Sequence, residues 1–172
     1  KREKELETII FAKCNKNIQN KIKEKIKKAE IFCKATNLAR DLVNEPAAVA
    51  NPTYLADLAL EIAKKTKGIK CAIYNKEQVR KMGMGAFLGI AQAADTEPKF
   101  IHLEYIPEKT AIKDKIALVG KGITFDTGGI SLKDDEHMIN MKTDMAGAAV
   151  VLSIFSVISE LKPKITVMGF IA

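Results

Sequence analysis

The 172-residue chain has no tryptophan, three cysteines, two histidines and no long hydrophobic run. Each shortage removes a class of protein. Cys14, Cys33 and Cys71 are odd in number and widely spaced. That argues against a disulfide framework or a zinc knuckle and suits a reducing compartment. Without a run of about 18 apolar residues, no membrane span is expected. The opening "KREKELETII" is charged and lacks the apolar core of a signal peptide, so the expected location is cytoplasmic. With only His102 and His137, there is no His-Glu-x-x-His pair. A Gly-x-Ser-x-Gly elbow and a Walker Gly-x-x-x-x-Gly-Lys-Ser/Thr loop are also missing. His102 falls in an alternating apolar stretch and reads as structural. His137 stands in a polar loop beside three acids and is a weak catalytic candidate.

What is present is the composition of a globular domain with a real core, 47% apolar and 28% charged. The formal charge of +7 comes largely from "KCNKNIQNKIKEKIKK", Lys13 to Lys28. These lysines fall on several faces of an expected helix with no aromatic residue among them. They read as a solvated surface. Nucleic-acid contact is the alternative, because basic charge alone gives only sequence-blind attraction.

Hydrophobic periodicity divides the rest. "ETIIFAK", Glu7–Lys13, reads as a short strand. A helix is expected from Asn17 to about Asn44, with Ile18, Ile22, Ile26, Ala29, Cys33 and Thr36 at three- and four-residue steps, ended by "NEPAAVANP". Asn51-Pro52 opens a second helix, with Asn51 as cap, Pro52 in the first turn and Leu55, Leu58, Ala59 and Ile62 facing inward. Gly68 stops it. "IKCAIYN", "AFLGIAQAA", "FIHLEYI", "KIALVG" and "KITVMGFIA" read as strands, "KEQVRKMG" as a short helix and Thr143–Leu161 as an apolar helix. The expected fold class is α/β: a mixed, mostly parallel sheet flanked by helices. Ligand sites of such sheets lie at the carboxyl ends of strands.

That places one stretch under scrutiny. "GKGITFDTGGISLK", Gly120–Lys133, follows a strand directly and holds two lysines, an aspartate and four glycines. With Asp144 downstream, the chemistry-bearing set is Lys121, Asp126, Lys133 and Asp144. Carboxylates on glycine-rich loops suit divalent metals, and two ions can activate a water and polarise a carbonyl. A lysine joins such a set only when deprotonated, which a neighbouring dication favours. A second, charged lysine could stabilise an oxyanion. Gly122, Gly128 and Gly129 would permit positive φ and close backbone approach. From the residues alone two other readings stay open: surface lysines with glycine turns, and a phosphate-binding loop.

"VGKGITFDTGGISLK" followed by "MKTDMAGAAVVL" resembles the leucyl aminopeptidase family of two-metal cytosol aminopeptidases. "NLARDLVNEPAAVANP" is similar to the segment that opens that family's catalytic domain, so the resemblance runs from about Asn37 to Ala172. It implies a metallo-exopeptidase that releases leucine-like amino-terminal residues from peptides, with two divalent ions, Zn or Mn. By the same resemblance Lys121 is a ligand of the tighter metal and Asp126 bridges both. Asp144 is a further ligand of the tight site, Lys133 is the catalytic lysine on the substrate carbonyl, and Met141 lines the pocket for the first side chain. A hexamer is implied, and some bacterial members bind DNA. The family carries a second motif downstream, Asn-Thr-Asp-Ala-Glu-Gly-Arg, which is not in these residues. The expectation is a remnant of an N-terminal domain and linker over residues 1–16. Residues 17–172 would then be a linker helix and the first half of the catalytic domain, without meaningful peptidase activity by themselves.

Overall fold

The computed structural model describes residues 8–10, 15–108 and 113–172. Most of the strand expected over Glu7–Lys13 lies outside the described residues, and residues 8–10 belong to no helix or strand. Helix α1 (Lys16–Asn44) begins at Asn15, whose side chain accepts the Ile18 N–H at 2.9 Å. Its polar cap and unbroken run of helix-compatible residues carry it through 29 residues. Only its second half is seated. Ile31 and Leu42 are buried, Leu38 packs on the core, and Ile18 and Ile26 remain exposed. The periodicity therefore marks the helix, but the expected stripe is not the face that packs: Cys33 and Thr36 are exposed in the seated half, where Ile31, Leu38 and Leu42 meet the core.

Helix α2 (Pro52–Lys65) starts as its sequence requires, with Asn51 accepting the Tyr54 N–H at 3.0 Å and Pro52 in the first turn. Leu55, Ala59 and Ile62 are buried and Leu58 packs against them. Gly68, at φ +84°, turns the chain into β1 (Ile69–Tyr74). A capping box between Asn75 and Gln78 opens α3 (Lys76–Lys81). The stretch expected as the strand "AFLGIAQAA" is instead helix α4 (Gly85–Ile90) followed by a single 3-10 turn, Ala91–Ala93. A short apolar run does not distinguish strand from helix by period. Here Phe87 meets Phe100 edge-on at 6.2 Å from the outer side of the sheet.

Then come β2 (Phe100–Tyr105), β3 (Lys115–Gly120), the short α5 (Asp135–Met138), α6 (Ala146–Leu161) and β4 (Thr166–Ile171). The sheet order is β1-β2-β4-β3. β2 is antiparallel to both β1 and β4, and β3 is parallel to β4. Three strands thus point one way and β2 runs against them, so the sheet is mixed, as expected. The ends of β1, β3 and β4 share one edge, where Gly120 stands opposite Ile171.

Helix α6 starts three residues later than expected, because Met141–Thr143 forms a separate 3-10 turn. It is the core helix. Phe155 is fully buried and crosses Gly169, where an added Cβ would come within 2.6 Å of its ring. Residues 135–161 include an 18-residue window apolar enough to cross a membrane by length and composition. Half of that window is buried in the domain, so the apolarity is used against the sheet and α1.

Candidate active site

The site is built where β3 ends and α6 begins. The two backbones approach so closely that neither facing position tolerates a side chain. A Cβ on Gly120 would lie 2.6 Å from the Gly147 carbonyl oxygen, and one on Gly147 would lie 2.7 Å from the Lys121 nitrogen. This contact lets the Ala148 N–H, an amide of the first turn of α6, donate to the Lys121 carbonyl at 2.9 Å. On the other side Gly122 donates to the Ala172 carbonyl at 2.6 Å. Lys121 is therefore held at its backbone between α6 and the end of β4. Gly122 serves this close approach rather than a positive φ, while Gly128 and Gly129 do adopt positive φ, +88° and +69°.

Two lysine–aspartate pairs result. Lys121 Nζ donates to Asp144 Oδ1 at 2.8 Å. The Asp144 side chain is only 18% exposed, and its Oδ2 is buried with no hydrogen-bond partner among the described residues. A buried carboxylate oxygen left unpaired is costly. It marks a place where a cation would be welcome. Asp144 is supported by its own amide, which donates to the Met141 carbonyl at 3.2 Å. Met141 is half-buried in the 3-10 turn just before it.

The second pair is Lys133 Nζ with Asp126 Oδ2, 3.5 Å apart. Asp126 Oδ1 also accepts the Gly128 N–H at 2.8 Å, closing a turn of the aspartate's own loop. That N–H first, then the positive charges of Lys133 and Lys121, hold the Asp126 carboxyl below the ordinary aspartate value, against desolvation. Lys133 returns to the loop through its N–H, which donates to the Thr127 carbonyl at 2.9 Å. Lys121, Asp126, Lys133 and Asp144 thus form one alternating patch of charge at the carboxyl edge of β3.

The histidines stay apart from this chemistry. His102 stacks on Phe170 with ring centroids 4.7 Å apart, on the outer face of the sheet. His137 Nδ1 lies 2.6 Å from Asp134 Oδ1, within the short α5. Among the described residues no cluster of three or more His, Cys, Asp and Glu side chains is found. A cation here would thus rely on the two carboxylates together with a lysine amine. Sequence reasoning passed over two contributors. The Gly120–Gly147 contact was hidden because the residues are distant in sequence and each reads alone as an ordinary small residue. Lys142 was not singled out in the sequence, yet its ammonium donates to the Asn44 carbonyl at 2.6 Å.

An α/β domain that gathers two lysines and two aspartates at the carboxyl end of its edge strand β3 presents donors of the kind that hold a divalent cation. The comparison with known sequences is more specific. Residues 37–172 match the cytosol aminopeptidase family, catalytic domain, and the chain belongs to that family. It is 43% identical over 157 residues to a protein of Persephonella marina named "Probable cytosol aminopeptidase", covering 91% of this chain and 31% of that protein. A protein of the same name from Aquifex aeolicus is 45% identical over 148 residues, 86% of this chain and 30% of that one. Among solved structures, "Bottromycin maturation enzyme BotP in complex with Mn" superposes with a TM-score of 0.75 at 35% identity, covering 82% of this chain and 30% of that one. The chain spans about 30% of the length of the curated relatives.

Proposed function

We propose that the protein carrying this chain is a cytoplasmic, metal-dependent aminopeptidase that releases leucine-like amino-terminal residues from peptides. The observation that supports it most is the buried Oδ2 of Asp144, without a hydrogen-bond partner among the described residues, beside Lys121, whose charge also acts on Asp126. Two oxygen donors and one amine suit Zn²⁺ or Mn²⁺. Lys121 and Asp144 would hold one divalent ion, and Asp126 would bridge to a second. Such ions, when bound, supply Lewis acidity and an activated water. To serve as a ligand Lys121 would have to leave its ion pair with Asp144 and lose a proton to solvent, which a neighbouring dication favours. A second ion calls for anionic donors besides these two carboxylates, because two dications repel strongly in a partly dry cleft.

The remaining roles belong to the chain itself. Lys133, on a loop with two positive-φ glycines, can swing from Asp126 onto the scissile carbonyl and stabilise its developing negative charge. Met141, half-buried ahead of Asp144, offers an apolar wall to the first side chain of the peptide. Homo-oligomeric assembly, a hexamer by the family resemblance, goes with this reading and is checked by light scattering.

The test is turnover of a leucyl amide by the purified protein supplied with Mn²⁺ or Zn²⁺, compared with its Asp126→Ala variant. The variant should lose at least about 10³-fold in kcat/KM, the several kcal/mol that metal-ion catalysis supplies. Undiminished turnover in Asp126→Ala sinks the assignment.

A further inference from the structure

The 3-10 turn Met141–Thr143 carries Asp144, and most of its hydrogen bonds are its own. The Thr143 N–H and hydroxyl both reach the Asn140 carbonyl, at 3.0 and 2.8 Å, and the Asp144 N–H reaches Met141. Two side chains of the 141–144 turn reach other elements: Asp144 accepts from Lys121 at 2.8 Å, and Lys142 reaches the end of α1. Lys142 Nζ donates to the carbonyl of Asn44, 98 residues away, at 2.6 Å.

Asn44 is the last residue of α1. The final carbonyls of a helix lack helical donors and carry the negative end of its dipole. Helix α1 has no basic residue in its own last turn. The Lys142 ammonium supplies that missing charge from the neighbouring segment. It therefore sits in a socket made by the longest helix of the chain, whose second half is seated on α6.

We propose that Lys142 is a positioning residue of the site. By anchoring the 141–144 turn to the end of α1, it keeps the Asp144 carboxylate on Lys121 with Oδ2 turned inward. This rests on the reading of Asp144 as a metal ligand. A group that only orients a ligand is worth about 10–100-fold in metal affinity.

The experiment uses the whole protein and Mn²⁺ alone, with bound and free ion distinguished by electron paramagnetic resonance. Lys142→Met keeps the hydrocarbon stem and removes the charge. Lys142→Arg keeps a cationic donor. The methionine variant should bind Mn²⁺ about 10–100-fold more weakly, and the arginine variant should recover most of that loss. In parallel, amide hydrogen exchange at Thr143, Asp144 and Met145 should quicken in Lys142→Met and return in Lys142→Arg. Mn²⁺ affinity in Lys142→Met equal to wild type overturns the proposal. A wild-type protein that binds no Mn²⁺ removes the metal reading of Asp144. The exchange data then decide the tether alone, and unchanged exchange in Lys142→Met overturns it.

Discussion

The two lysine–aspartate pairs are chemically alike and structurally opposite. Lys121 is fixed at its backbone by close packing where β3 and α6 meet through Gly120 and Gly147, and Asp144 stands just ahead of that helix with its carboxylate on Lys121. Asp126 and Lys133 lie on a loop turned by Gly128 and Gly129, with Ile130 and Leu132 exposed at its tip. The first pair is prebuilt, and one oxygen of Asp144 has no hydrogen-bond partner among the described residues. The second is held by short-range hydrogen bonds that a small shift can exchange. A site that must first fix an ion and then follow a changing substrate gains from having one rigid half and one adjustable half.

The sharpest way to separate the halves is to remove one charge from each. Lys133→Met should lower kcat on a leucyl amide about 10²–10³-fold, the usual cost of losing an oxyanion donor. Its metal content, read by atomic absorption, should stay at the wild-type level. Asp144→Asn should lower the metal content itself. Equal metal content in both variants would erase the distinction.

Packing offers a second contrast. Gly147→Ala puts a methyl group 2.7 Å from the Lys121 nitrogen, against backbone that cannot swing away. It should cost about 1–3 kcal/mol in urea unfolding, the range for overpacking a tight interior. Gly129→Ala meets nothing within 4 Å and bears only the strain of φ +69°, so about 1 kcal/mol is expected. A larger loss at Gly129 than at Gly147 would reverse the assignment of rigid and adjustable halves.

The smallest effect is on pH dependence. The Gly128 N–H and the neighbouring lysines depress the Asp126 carboxyl in the folded chain. The stabilisation from this group is therefore fully present above the ordinary aspartate range and is lost as pH falls through the lowered folded value. Carbon-13 NMR of the Asp126 carboxyl should show a midpoint below that of an aspartate in an unfolded peptide. Lys133→Met, which removes the nearest positive charge, should move it upward. A midpoint at the unfolded value would mean that the loop does not hold its aspartate.

Much of this was legible in the chain. Asn51-Pro52 specified the start of α2 because cap and φ restriction act locally. The step pattern from Ile18 to Thr36 specified a helix, since period is a property of a single segment. The motif around Lys121, Asp126 and Lys133 is contiguous, so the family could be read from it, and the family match bears that out. "AFLGIAQAA" was misread because a short run, apolar or small at every position but Gln92, fits either a strand or a helix. The choice fell to the Phe87–Phe100 contact, which is tertiary.

The sequence by itself determined the chemistry on offer: which side chains, on which kind of loop, after which strand. Only the tertiary structure decided the pairing of Lys121 with Asp144, the stranded Oδ2, the Gly120–Gly147 contact and the grip of Lys142 on the end of α1. Each of the three contacts joins residues more than 20 positions apart. Local propensity has no term for such contacts, and they appear only once burial of the apolar face of α6 has brought the segments together.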